Sequence, residues 1–167
     1  YSDEVRYTDG KENPKGNSAC GKPDLNEAAL VSINPEYQFW LSVPGTEIDY
    51  PVVRHEDNEY YLNHNFYQEQ HISGCVFADS SAVPLAVDNT VLYGHNMKDG
   101  SMFAGLKQYG EEAFFRENPV IQIFYRGKWV NVLFFHVRSA IRAMPEPTAL
   151  TLWKKSGCLI LRRWGQR

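Results

Sequence analysis

Asp88-Asn89-Thr90-Val91-Leu92-Tyr93-Gly94-His95-Asn96-Met97-Lys98-Asp99-Gly100-Ser101-Met102-Phe103 is the stretch around which this chain is read. Val91 to Tyr93 is a short β-branched and aromatic run, the signature of an inward strand. It stops on Gly94 and presents His95 at its end. Lys98-Asp99-Gly100 then supplies a turn, after which Phe103, Leu106, Tyr109, Phe114 and Phe115 give an amphipathic segment. Gly110 interrupts that pattern, so two short helical pieces are expected rather than one. A histidine held where a strand meets a loop suits proton chemistry, because its charge changes near neutral pH. The question for the rest of the chain is what completes a site around His95.

Outward from this stretch the chain alternates short strands with turn signals. Upstream, Gly74 to Asp79 reads as a strand, and so do Ile48 to Val53 and Tyr37 to Val43. Pro44-Gly45-Thr46-Glu47 is a turn between the last two, with Gly45 placed for a positive φ. Pro51 suggests an edge or a bulge. Asp24 or Asn26 caps a helix carrying Leu25, Ala28, Ala29 and Leu30, and Asn34-Pro35 ends it. Downstream, Val120 to Tyr125 and Trp129 to Phe135 form a hairpin across Arg126-Gly127-Lys128. Many short strands with a few helices argue for a mainly β fold, a barrel or a sandwich. Three regions follow: residues 1–24, polar and almost free of aliphatics, as a flexible N-terminal segment; 25–135 as the barrel domain; and 136–167 as a divergent C-terminal tail.

The 167 residues suffice for one domain with a core of its own. A hydrophobic content of 43% marks an ordered globular chain. With 17 basic against 20 acidic residues, the formal net charge of −3 argues against a nucleic-acid partner. Cys20, Cys75 and Cys158 form no Cys-x-x-Cys pair and no closed disulfide framework. Cys75, in an alternating strand, reads as a small buried hydrophobe. His64 and His71, with Glu69 nearby, lack a zinc-ligand spacing and read as solvated loop residues, so no metal site is expected. His55 and His136 have no evident partners.

The ordered series Ile33-Asn34-Pro35-Glu36-Tyr37, Trp40-Leu41, Val43-Pro44-Gly45-Thr46, Ile48-Asp49-Tyr50-Pro51-Val52-Val53, Asp57-Asn58, Tyr60-Tyr61-Leu62, Gly74 with Val76-Phe77 and Asp79, and Asp88 to Phe103 resembles the class B branch of the sortases, a family of cysteine transpeptidases. The likeness runs from about Ile33 to Val132. It implies a sortase-like β-barrel with an N-terminal helix and short helices, on the outer face of a Gram-positive cell, with any N-terminal anchor missing from this chain. The family's cysteine attacks a backbone carbonyl in the sorting motif of a secreted protein. A thioacyl intermediate follows, and its acyl group passes to a cell-wall or pilin amine, with no cofactor. The resemblance makes His95 the acid/base, and it makes Asn58, Leu62 and Tyr93 residues of the substrate groove.

The tail departs from that pattern. Family members carry Thr-Leu-Xaa-Thr-Cys at a strand end and an arginine on the next strand. Here the late cysteine stands in Lys155-Ser156-Gly157-Cys158-Leu159-Ile160-Leu161-Arg162-Arg163, so Cys158 and Arg163 are the candidates for nucleophile and oxyanion cation. One reading makes the tail a stretch translated out of frame and the barrel short of its last strands. That would leave a catalytically inactive domain with peptide binding at most, and strand edges open to self-association. The other makes the apolar run Cys158 to Leu161 a strand laid over the opening.

Overall fold

The computed structural model describes residues 25–86, 89–133 and 156–162, the last segment as backbone. The expected N-terminal segment 1–24, His136, most of the tail and Arg163 lie outside the described residues. Helix α1, Glu27–Ile33, opens on Asn26, whose side-chain oxygen accepts the Ala29 N–H at 3.1 Å. It closes at Asn34 ahead of Pro35. Seven strands follow: β1 Tyr37–Ser42, β2 Asp49–Val53, β3 Val76–Ala78, β4 Asn89–His95, β5 Val120–Tyr125, β6 Lys128–Leu133 and β7 Ser156–Arg162. A one-turn 3₁₀ helix, Tyr60–Leu62, precedes β3; a longer one, Phe103–Gly110, and α2, Glu112–Glu117, follow β4. The break at Gly110 is where the sequence puts it.

The strands form one sheet in the order β6-β5-β1-β2-β3-β4-β7. All neighbours are antiparallel except β2 and β3, which run parallel with Val52 beside Val76 and Val53 beside Phe77. The sheet curls until Cα atoms of its two end strands, β6 and β7, come within 8 Å, with no ladder joining them among the described residues. Both faces are covered. One side of the sheet, with Phe39, Leu41, Val52, Leu92, Ile121 and Ile123, packs with the Phe103 helix inside the curl. The other, with Trp40, Val53, Phe77, Tyr93 and Phe124, is capped by Leu30 of α1 and by Tyr61 and Phe66. Burial on both faces is why β1 lacks a clean apolar–polar alternation.

Two local readings are corrected. Strand β4 does not stop before Gly94; it runs through to His95, which is therefore fixed by a ladder. Pro51 stands in a central strand rather than at an edge, and the β1–β2 ladder is irregular beside it, between Tyr37 and Phe39 opposite Val53 and Val52. The proline is tolerated because the β3 partner begins only at Val52, so no ladder acceptor faces the missing N–H on that side. Of the two readings of the tail, the second holds: residues 156–162 pair with β4 along its length, while the sheet stays open between β7 and β6 among the described residues. The apolar run of the tail thus lies as a strand over the opening. The β5–β6 hairpin turns on Arg126 and Gly127, both at positive φ (51° and 74°), as a two-residue primed turn requires.

Candidate active site

Parallel strands cannot be joined by a tight turn, so the chain from β2 to β3 must cross over. Residues 54–75 make that crossing and bring Asn58 and Leu62 alongside β4. Asp57 Oδ1 accepts the N–H groups of Glu59 (2.8 Å) and Tyr60 (2.8 Å), which starts the short 3₁₀ helix. Those bonds, Tyr60's foremost, hold the Asp57 carboxyl below the usual carboxylate range. The helix ends at Leu62 with its carbonyl turned to β4, where His95 Nε2 meets it at 2.7 Å. A carbonyl can only accept, so Nε2 carries a proton and Nδ1 is the nitrogen left for proton transfer.

Asn58 and Tyr93 meet at a third residue. Asp79, just past β3, accepts from Asn58 Nδ2 (3.1 Å) and from the Tyr93 hydroxyl (2.9 Å) on the same oxygen, Oδ2. Its Oδ1 accepts the Ser81 N–H at 2.9 Å and the Ser81 hydroxyl. Partial burial works against the ionised form, but the Ser81, Tyr93 and Asn58 donors outweigh it and hold the carboxyl below its ordinary value. The Asn58 amide is fixed end for end, because its oxygen accepts the Ser80 N–H at 2.8 Å.

The β4–β7 register sets Cys158 opposite Tyr93 and Ser156 opposite His95. Cys158 is thus a diagonal neighbour of His95 on the same side of the ladder. Four of the sequence-predicted residues, His95, Asn58, Leu62 and Tyr93, come together in this region, with Cys158 at a neighbouring register position. Arg163 lies outside the described residues. Among the described residues no group of three or more His, Cys, Asp or Glu could hold a metal ion.

The family model of the sortase domain matches residues 41–146. The chain belongs to the sortase family. Listeria monocytogenes sortase B is 44% identical over 91 residues, covering 54% of this chain and 37% of that protein, so the match spans well under half of its curated relative. The fold resembles the crystal structure of Clostridium perfringens sortase B, with a TM-score of 0.62 and 33% identity over 84% of this chain and 82% of the other. It also resembles a Staphylococcus aureus sortase B–substrate complex, with a TM-score of 0.60 and 28% identity over 65% of this chain and 50% of that one. The resemblance to class B sortases read from the sequence is therefore sound.

Three groups in this sortase domain have roles that the sequence does not show. Asp79 stands in the sequence only as part of a motif, and nothing in its spacing reveals that it joins residues 58 and 93. His55 has partners after all: Nδ1 lies 2.6 Å from Glu36 Oε1, and its ring stacks on Tyr60 at 4.4 Å. Glu36 also accepts from the buried Tyr61 hydroxyl at 2.5 Å, and Asn34 donates to that hydroxyl at 2.8 Å. His64 is likewise no solvated bystander, for its ring stacks on the other face of Tyr60 at 4.0 Å. Stacking and carboxylate pairing across the crossover brace the segment that carries Leu62. Cys75 is buried as expected, and burial pushes its thiol up to about 12.

Proposed function

We propose that this domain is a cysteine transpeptidase that cleaves a sorting motif in secreted proteins and joins it to a cell-wall or pilin amine, at the outer face of a Gram-positive cell. The observation that carries the reading is the anchoring of His95. Its Nε2–H is committed to the Leu62 carbonyl, so the ring is oriented and only Nδ1 exchanges a proton. In the proposed reaction the Cys158 thiolate attacks the scissile carbonyl, and the resulting oxyanion is stabilised by Arg163. The Nδ1–H of the imidazolium protonates the leaving amine as the C–N bond breaks, leaving a thioacyl ester. The acceptor amine then attacks that ester, Nδ1 takes back a proton, and the thiolate departs. Asn58, Leu62 and Tyr93 line the groove for the peptide. Support for Cys158 comes from the β4–β7 register, since diagonal neighbours of a ladder stand about 7–8 Å apart, within reach of longer side chains.

The test is turnover of quenched peptides bearing Asn-Pro-type and Leu-Pro-type sorting motifs, before and after a methanethiosulfonate. The expected result is turnover that is lost on thiol modification and in Cys158→Ala and His95→Ala. Turnover that survives Cys158→Ala removes Cys158 as the nucleophile. Saturable peptide binding with no turnover instead supports a catalytically inactive sortase-fold domain, which the sequence context of Cys158 (no preceding Thr-Leu-Xaa-Thr) favours as the second reading.

A further inference from the structure

We infer that Asp79 is a positioning residue of the peptide groove, holding the Asn58 amide at the groove wall against the hydroxyl of the buried Tyr93 ring, in the orientation in which the groove meets the sorting-motif peptide. The inference rests on the reading of Asn58 and Tyr93 as groove residues. Those two side chains come from separate elements, the crossover and β4. One carboxylate oxygen accepts from both, at 3.1 Å and 2.9 Å, so Asp79 is the tie between the two walls. Its other oxygen is held by the Ser81 backbone and hydroxyl, which stops the carboxylate from turning. The Ser80 N–H holds the Asn58 amide oxygen, so the amide nitrogen must face Asp79.

A carboxylate accepts on both oxygens, and this arrangement uses that property fully. An asparagine of the same size cannot reproduce it. Turned one way, its NH₂ faces the Asn58 NH₂ and the Tyr93 hydroxyl; turned the other way, it faces the Ser81 N–H. Either orientation sets donor against donor, so the tie is lost while the volume stays. The sequence around Asp79 belongs to the family-like series, yet only the folded distances show what the carboxylate holds.

The experiment is fluorescence anisotropy of the full chain with a fluorescein-labelled peptide carrying an Asn-Pro-type sorting motif. Each variant is checked for folding by far-UV circular dichroism. Tyr93→Phe and Asn58→Ala test the groove itself. Asp79→Asn is expected to raise Kd about tenfold, or about 1.4 kcal/mol. In the double variant Asp79→Asn/Tyr93→Phe the two effects are expected not to add, because both break one link. If Asp79→Asn folds poorly, Ser81→Ala reads the same tie from an exposed position, and an increase in Kd of about threefold is expected.

Weakened binding in Tyr93→Phe and Asn58→Ala, with wild-type binding in Asp79→Asn or Ser81→Ala, overturns the inference and leaves the groove standing. Fully additive losses in the double variant overturn it as well, since a carboxylate acting only on general stability would behave that way. No effect of Tyr93→Phe and Asn58→Ala, or no saturable binding by the wild type, removes the groove reading and the inference with it.

Discussion

Gly74→Ala tests how tightly the crossover is held against β4. Gly74 has φ +57°, and a Cβ there would stand 2.3 Å from the Tyr61 carbonyl oxygen and 2.8 Å from that of Leu62. Contacts below 3.0 Å are essentially never made by a real Cβ, so the Tyr61 carbonyl must retreat by about 0.7 Å or more. Both carbonyls are in use: Tyr61 O accepts the Cys75 N–H at 2.9 Å, and Leu62 O accepts His95 Nε2 at 2.7 Å. The left-handed backbone costs an alanine about 1–2 kcal/mol, and weakening two hydrogen bonds adds about 1 kcal/mol each. A total of about 3–4 kcal/mol corresponds to a fall in Tm of roughly 6–16 °C for a chain of this size. Gly127→Ala is the internal control. Its φ is +74°, but nothing lies within 4 Å of a Cβ there, so it carries the backbone term alone, roughly 2–8 °C. Thermal melts followed by circular dichroism give the two shifts. The imidazole ¹⁵N shifts of His95 report whether the Leu62 bond has changed in Gly74→Ala and not in Gly127→Ala. Equal Tm losses, or an unchanged His95 ring in Gly74→Ala, would refute the claim that residue 74 holds the histidine's anchor in place.

Two further outcomes are expected. Hydrogen-bond donors hold the Asp79 carboxyl below its ordinary value, so its stabilisation is present above the unfolded pKa of about 3.9 and is lost as pH falls through the lower, folded value. In urea unfolding at a series of pH values, the stability gap between wild type and Asp79→Asn should therefore close on acidification below about pH 4, and a pH-independent gap contradicts the argument. Cys75 is 6% exposed with its thiol pushed up to about 12, so iodoacetamide should leave it unmodified in the native protein and label it in urea. Peptide mapping by mass spectrometry that finds Cys75 alkylated at the rate of an unfolded thiol refutes its burial.

Much of this fold was legible because its signals are local. Asn26 caps a helix with an atom three residues away, Gly45 takes a positive φ within its own turn, and Arg126-Gly127 makes a hairpin by its own backbone. The β4 strand and the position of His95 were readable for the same reason. What escaped was set by residues distant in sequence. The parallel pairing of β2 with β3 has no local signature, yet it sends residues 54–75 across the sheet and brings Leu62 to His95, 33 residues on. The partners of His55, Glu36 and the Tyr60 ring, come from the helix–strand corner and the crossover, so no local spacing shows them. A carboxylate that joins residues 58 and 93, as Asp79 does, has no spacing rule. The site residues themselves were reached through resemblance to a family, and the geometry then supplied their connections.

Where the tail's candidate cysteine falls along β4 depends on register, and hydrophobic patterning alone does not fix it. Cys158 to Leu161 is apolar at every position, and β4 is buried on both faces, so a one-residue slip would keep apolar residues against β4 while moving Cys158 to the Leu92 side. A steric feature favours the register observed. Gly94 is opposed by Gly157, and on that side of the sheet a Cβ at Gly94 would meet the Phe103 ring at 3.1 Å. Directly opposed residues share a face about 5 Å apart, so a side chain opposite Gly94 would compete for the space Phe103 fills. A slip by one residue sets Ser156 or Cys158 there, and a slip by two sets Lys155 or Leu159; glycine stands there only in the register seen. The same packing that leaves no room beside Gly94 therefore favours the register in which Cys158 stands opposite Tyr93.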